Sequence, residues 1–329
     1  MGAKIMHQPR NLLLSAVLAL AGVLAGIAGA SAQSGPIKIL VGLPPGGAVD
    51  IGARLLGQKL QASLGQTVIV ENRPGASTRL ATQALKASEP NGQTLMVAPD
   101  AIVVLYPHVF REVGYDPIKD LTPISKLLFW SYGFAVPAAS PAKTFAEFVA
   151  LAKADPKLAQ FASPSTGSSQ HILGLQLGGL IGVKLDHIPF KGAADAINAM
   201  LGNSVPSAIL TLGELTNLHQ GGKARVLATF TAARTADLKE VPTFAELGYP
   251  AMRSNGVVSV FGPAGMKPEL VERISRAVRD AVADPDVKAR IGAMGMEAQG
   301  STSQELDAYD RSELERWRDV VKASGYVPE

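Results

Sequence analysis

Apolar and polar positions change their period along the chain in a regular way. Residues 37–42 form a short aliphatic run, and from about Asp50 the apolar positions Ile51, Leu55, Leu60 and Leu64 follow helical spacing. TVIVE at 67–71, the loop Asn72-Arg73-Pro74-Gly75, a helix through Leu80, Ala84 and Leu85, and TLMVA at 94–98 complete strand–helix–strand–helix–strand. That alternation predicts a parallel α/β architecture, half of a doubly wound sheet. The pattern restarts after Leu121. Strands are expected at 134–137, 160–162, 186–190, 225–229 and 256–261, with helices at 145–152, 169–181 and 193–201 and a short helical turn at 243–247. Leu270, Ile274, Ala277, Val278 and Ala281 mark a further helix over 269–283, and a last amphipathic helix runs from about Gln304 to Lys322.

The start of the chain reads differently. Lys4 and Arg10 precede an apolar run at 12–27, and Ala30-Ser31-Ala32 follows. This is the order of a secretory signal peptide, residues 1–32, cleaved after Ala32. The apolar run falls short of the roughly 20 residues that a spanning helix needs. The chain has no cysteine, so neither lipid attachment at a cysteine nor a disulfide is expected.

Composition then narrows the class. The whole chain carries 31 basic and 28 acidic residues; the export segment holds two of the basic ones, so the remainder is near +1. With no basic run interleaved with aromatics, nucleic acid is not an expected partner. The 297 residues after the leader (329 − 32) exceed what one core comfortably serves, which predicts two domains.

The same local motif recurs at 42–50, 71–77, 162–169 and 190–193: a strand ends in a small or polar loop that opens directly into a helix. Helix N-termini present unpaired N–H groups and partial positive charge, which suits an anion. In open α/β sheets ligands lie beyond the carboxyl ends of the strands, where such loops sit. LPPGGAVD therefore offers the amides from Gly46 to Val49, with Asp50 expected to cap the helix; Leu43, Pro45, Gly46, Gly47 and Ala48 are the candidate ligand contacts of this loop. Ala76 and Ser77 belong to the second loop. In ASPSTGSSQHILG, Ser163, Ser165, Thr166 and Ser168 crowd hydroxyls around Gly167, with Ser169 and His171 close behind. Lys191 and Gly192 close the fourth loop.

Other chemistries find little support. The glycines after Pro45 are followed by neither Lys-Ser nor Lys-Thr, and no G-x-G-x-x-G occurs there. The five histidines show no metal-ligand spacing, so neither metal nor cofactor is expected. A Ser168–His171 hydrolase lacks the G-x-S-x-G elbow, so no catalytic residue is assigned. Trp130 and Trp317 read as packing residues.

Together IKILVGLPPGGAVDIGARLLGQKL, LGQTVIVENRPGA, the P-x-G-x-T-L segment at 90–95, GSSQHILG, IPFKGAADA, GGKARVLATFTAAR, EVPTFAELGYP and GPAGMKPELVERI resemble the tripartite tricarboxylate transporter substrate-binding proteins, the periplasmic Bug group. The resemblance covers nearly all of the chain after the leader. It implies a non-enzymatic, monomeric binding protein of the periplasmic type II fold, with two α/β lobes hinged around a cleft. Lobe 1 would span 33–130 plus 256–329, and lobe 2 would span 131–255. It further implies a small carboxylate held by the 43–50 and 163–171 loops, delivered to a membrane permease or, alternatively, to a sensor. The chain departs from the usual pattern at Ala48 and Val49, where the family has a glycine and a threonine, and at Ser77, Thr78 and Arg79, where it has two glycines and an asparagine. It departs again at 203–206 and at 256–259, where the usual tryptophan is missing. Arg79 could add a bidentate carboxylate partner or simply face solvent.

Overall fold

The computed structural model describes residues 35–328; the expected signal peptide lies outside them. The first half of the molecule begins with β1 (Ile37–Val41), α1 (Ala48–Leu64), β2 (Val68–Asn72), α2 (Arg79–Lys86) and β3 (Thr94–Pro99), followed by the short helices α3 (Ala101–Val104) and α4 (Tyr106–Val109). The long strand β4 (Leu121–Pro137) leads to α5 (Phe145–Ala154), β5 (Gln160–Ser163), α6 (Ser169–Ile181), β6 (Asp186–Pro189) and α7 (Ala193–Leu201). Then come β7 (Ala208–Thr211), α8 (Leu212–Gln220) and β8 (Ala224–Thr229). The chain finishes with β9 (Asn255–Pro263), α9 (Pro268–Ala283), α10 (Pro285–Gly292), β10 (Glu297–Ala298) and α11 (Ser303–Ser324).

Strand pairing divides at the middle of β4. Its Leu121–Ser131 portion pairs with β9, in the order β2-β1-β3-β9-β4. Its Tyr132–Pro137 portion pairs with β7 on one edge and β8 on the other, giving β6-β5-β7-β4-β8. Both half-sheets follow one plan: second, first and third strand, then a strand that arrives from the other half, then the fourth. β9 is the intruder in the first half and β4 in the second.

Register also fixes which ends meet. β1 and β3 are parallel, and two antiparallel steps through β9 make them run with β4. β7 runs against β4, and β5 runs with β7. Pro99, near the end of β3, aligns with Val258, which aligns with Leu128; Thr211, at the end of β7, aligns with Tyr132. The carboxyl ends of the parallel strands in the two halves therefore point at each other across the middle of β4.

Helices cover both faces of each half, so strands such as β1 are buried nearly throughout. α1, α9 and α10 pack on one face of the first half through Leu56, Leu60, Ile274, Val278 and Ile291. The opposite face carries the largest core, which is continuous from Leu85 and Ile102 in the first half to Phe134, Phe161 and Leu173 in the second. Trp317 on α11 lies in this core at 2% exposure, packing as its sequence context suggests. α7 and α8 enclose a third cluster around Met200, Leu210 and Leu215.

The pattern at 134–137 identifies only the end of β4. The strand begins at Leu121, but its register shifts between Pro123 and Ser125 and again between Lys126 and Leu128. Each bulge moves the following side chains to the other face, so regular alternation is lost. The apolar periodicity also leaves β7, α8, α10 and the short helices after β3 unmarked. α8 starts without a side-chain cap, and α3 and α4 span four residues each, too short to set a period.

Candidate functional site

The β1–α1 loop is bare on the outside and anchored from behind. Pro44 to Gly47 are exposed, and a Cβ added at Gly46 or Gly47 would meet nothing within 4 Å. Gly46 has φ +88°, a conformation that suits glycine. Asp50 does not cap α1 as expected: the N-cap is Gly47, which brings no side-chain hydrogen bond. Asp50 sits one turn further in, 2% exposed, and accepts from the Gly46 N–H at 2.9 Å, from Arg54 Nε at 3.0 Å and from Asn72 Nδ2 at 2.8 Å. Burial pushes its carboxyl pKa up, but the hydrogen bonds from Arg54, Gly46 and Asn72 outweigh it and leave the group below its ordinary value. Asn72 also donates to the Leu43 carbonyl at 3.1 Å. The Gly46 amide is thus engaged, and the first-turn amides from Gly47 onward are the ones left to face outward.

The second loop holds three successive non-glycine residues in the left-handed region: Ala76 (φ +46°), Ser77 (+52°) and Thr78 (+74°). Such conformations are rare, most of all for a β-branched residue. Thr78 is 1% exposed; its side chain fills the space where a Cβ on Gly42 would go and donates to the Gly42 carbonyl at 3.4 Å. Ala76 and Ser77 remain on the surface side of the turn. Arg79 braces the turn, donating to the Ala76 carbonyl at 2.8 Å and the Glu112 carbonyl at 2.9 Å, with its guanidinium 4.0 Å above the Phe110 ring.

The β5–α6 loop is furnished where the first loop is bare. Ser168 is the N-cap of α6: its Oγ accepts from the His171 N–H at 3.2 Å and donates to the Ser165 carbonyl at 2.8 Å. The Gly167 N–H donates to His171 Nδ1 at 3.1 Å and the Ser168 hydroxyl donates to the Ser165 carbonyl, so Ser168 and His171 do not pair as nucleophile and base. Ser163 is fully buried and bonds His187 Nε2 at 2.7 Å. The two imidazoles stack with centroids 3.7 Å apart. Burial lowers the His171 pKa to about 4; burial together with the His171 charge lowers that of His187 to about 3. Both rings are therefore neutral at pH 7 and serve the loop as fixed packing. Ser165 and Thr166 are the exposed hydroxyls.

In the fourth loop Lys191 is exposed, and Gly192, with φ +145°, starts α7 without a side-chain cap. Lys191 makes no ion pair among the described residues.

Phe110 joins these pieces, although no motif in the sequence points to it. It lies under Arg79 from the second loop and within 3.9 Å of a Cβ built on Gly167. Through Gly42–Thr78, Asn72–Leu43 and Arg79–Phe110, the first two loops and Phe110 form one chain of contacts, which ends close to Gly167 in the third loop. Two more residues stand outside every sequence motif. Tyr132, where β4 changes partners, is 2% exposed and packs edge-on against Phe230, with centroids 6.4 Å apart. Asp100, beyond β3, accepts from the Tyr309 hydroxyl at 2.9 Å, and burial pushes its pKa up to about 7. No cluster of metal-binding side chains occurs among the described residues.

Interlocked half-sheets with helix starts at their facing edges define a two-lobed binding protein of the periplasmic type II architecture. The profile described as "Tripartite tricarboxylate transporter family receptor" matches residues 52–326, and the chain belongs to that family, whose members are non-enzymatic receptors. A UPF0065 protein from the gbd 5′ region of Cupriavidus necator is 32% identical, over 97% of this chain and 98% of its own. Protein BugT of Bordetella pertussis is 29% identical, over 94% and 95%. Among solved structures, an R. palustris protein with adipate is 25% identical with TM-score 0.80, covering 91% of this chain and 100% of that one. MatC from Rhodopseudomonas palustris with bound malate is 25% identical with TM-score 0.76, covering 88% and 99%.

Proposed function

We propose that the protein is exported to the periplasm, closes two lobes on a small carboxylate and presents the closed form to a membrane permease of the tripartite tricarboxylate type. Lobe 1 is 33–130 plus 256–329, and lobe 2 is 131–255. The carboxylate lies against Leu43, Pro45, Gly46, Gly47 and Ala48 from one lobe and against Ser165, Thr166, Gly167 and Ser168 from the other. Ala76, Ser77, Lys191 and Gly192 flank it, while Asp50, Ser163 and His171 act from behind by fixing the loops. No described helix is long and apolar enough to cross a membrane.

One observation carries this reading: α1 opens at Gly47 with no side-chain cap while the loop before it is clamped by Asp50. A first turn that is held rigid yet uncapped keeps its N–H groups for an external acceptor. Relatives in the family that were solved with adipate and malate agree with a carboxylate. A micromolar ligand needs about 8 kcal/mol, and one helix end supplies at most ~2 kcal/mol, so several loops must converge on it.

The test is a thermal-shift screen of mono-, di- and tricarboxylates against the protein and its Gly47→Val variant. A ligand at 100 times its Kd should stabilise the protein by about 2.7 kcal/mol. The variant has room for its side chain and should keep the apo melting temperature while losing the shift. An unchanged shift in the folded variant removes the first loop from the site.

A further inference from the structure

The two halves touch backbone to backbone at a pair of glycines. Gly213 lies in the first turn of α8, just beyond β7, and Gly295 lies in the turn between α10 and β10. A Cβ built on Gly213 would fall 2.7 Å from the Gly295 Cα and 2.9 Å from its carbonyl oxygen, and one built on Gly295 would strike the Gly213 Cα. What blocks a side chain here is main chain, which cannot swing aside as another side chain does. Backbones approach this closely only where both sides are bare.

The contact lies at the crossing itself. Thr211 aligns with Tyr132 and Glu297 with Phe129, and β9 already holds one edge of Phe129, so β10 lies on the edge that β7 holds. β7 and β10 therefore follow one another along β4 with only Trp130 and Ser131 between them, and Gly213 meets Gly295 over that gap. Beside the contact the halves stand apart: a cavity of about 780 Å³ has Thr216 and Asn217 of α8 on one wall and Gly292 and Met296 on the other. No hydrogen bond joins the two glycine segments among the described residues. A touch without hydrogen bonds, flanked by open space, lets the segments roll or part, as a hinge requires.

We infer that Gly213 and Gly295 form the bearing on which the two halves turn, and that a side chain at Gly213 would hold the halves apart. The inference rests on the lobe-closing reading above but not on the identity of the acid. Packing gives the sense of the motion. α10 shares its core with α1, and α8 shares its core with α7. A side chain wedged between Gly213 and Gly295 thus pushes α1, with its uncapped first turn, away from the second half and disfavours the closed form.

Spin labels on Gln58→Cys and Asn198→Cys report the motion in the full chain, which has no cysteine of its own. Both positions are exposed, Gln58 on α1 and Asn198 on α7. Without ligand, the electron–electron distance is expected to be longer in Gly213→Val than in the labelled parent, with Gly213→Ala between them. Gly292→Val is the control: Gly292 lines the same cavity, but a Cβ there meets nothing within 4 Å, and the distance should not change. Of malate and adipate, whichever binds the parent in calorimetric titration should bind Gly213→Val more weakly. A competent fraction lowered about tenfold lowers the affinity by the same factor. The inference is overturned by an unchanged distance in folded Gly213→Ala and Gly213→Val, by an equal shift in Gly292→Val, or by unchanged affinity in a variant whose distance has shifted. The capture reading is judged separately, by whether any acid in the thermal-shift screen shortens the distance in the parent.

Discussion

Gly47 opens α1 with no side-chain cap, whereas Ser168 opens α6 with its hydroxyl already accepting from the His171 N–H. The first loop owes its shape to a carboxylate, an arginine and an asparagine placed behind it, and it shows only backbone to the outside. The β5–α6 loop owes its shape to groups inside itself: two stacked neutral imidazoles and a serine cap. A helix start can thus be prepared for an anion in two ways. One leaves amides open and fixes the loop by remote charge. The other meets the amides locally and offers peripheral hydroxyls, here Ser165 and Thr166.

Four perturbations separate these designs. Gly47→Val should have the largest effect, abolishing a ligand-induced stabilisation of about 2.7 kcal/mol at saturating acid while the apo protein melts unchanged. Asp50→Ala comes next. It leaves Arg54 and the Gly46 amide without their acceptor, and denaturant unfolding should report a loss of about 2 kcal/mol, accompanied by weaker binding. Ser168→Ala removes only a cap, at about 1 kcal/mol, and titration should show a smaller loss of affinity than Asp50→Ala causes.

Acidity provides the fourth and mildest test. The unfolded histidines titrate near 6.5, but folded His171 and His187 do so only near about 4 and about 3. Across that window the unfolded chain binds more protons, so this pair makes stability fall as pH falls. Asp100 and Asp310, raised by burial from 3.8 to about 7 and about 8, act with the opposite sign. The folded chain keeps their protons, so stability falls as pH rises from about 4 toward 7 or 8. The two trends oppose each other between roughly pH 4 and 6.5. Asp310→Asn should therefore raise stability at pH 8 and steepen the acid loss, and His187→Gln should flatten that loss; unfolding midpoints against pH measure both.

Much of the fold is legible because its long-period features are local. The stripe from Ile274 to Ala281 and the run from Ser169 to Ile181 are helices where their spacing puts them. The strand–loop–helix junctions are legible as well, because Pro44-Pro45-Gly46-Gly47 can hardly be anything but a turn. The first part of β4 is not, since its two bulges exchange the faces of the strand. Within the site, Asp50 stands out in the sequence while its role does not. A carboxylate near a helix start suits a cap or an inward brace equally, and only the positions of Arg54 and Asn72 decide. Phe110 is invisible along the chain, because its significance comes from touching Arg79 and approaching Gly167, which lie 31 and 57 positions away. The left-handed run at 76–78 is hidden for a similar reason: alanine, serine and threonine do not advertise positive φ.

Because each half-sheet borrows its penultimate strand from the other, neither is a self-sufficient unit. A gene fragment ending near Ser131 would leave the β3 edge without β9 and expose a row of unsatisfied amides and carbonyls. Split or truncated versions should therefore aggregate or recombine rather than persist as separate pieces, and productive folding must wait until β9, synthesised late, has been threaded back beside β3.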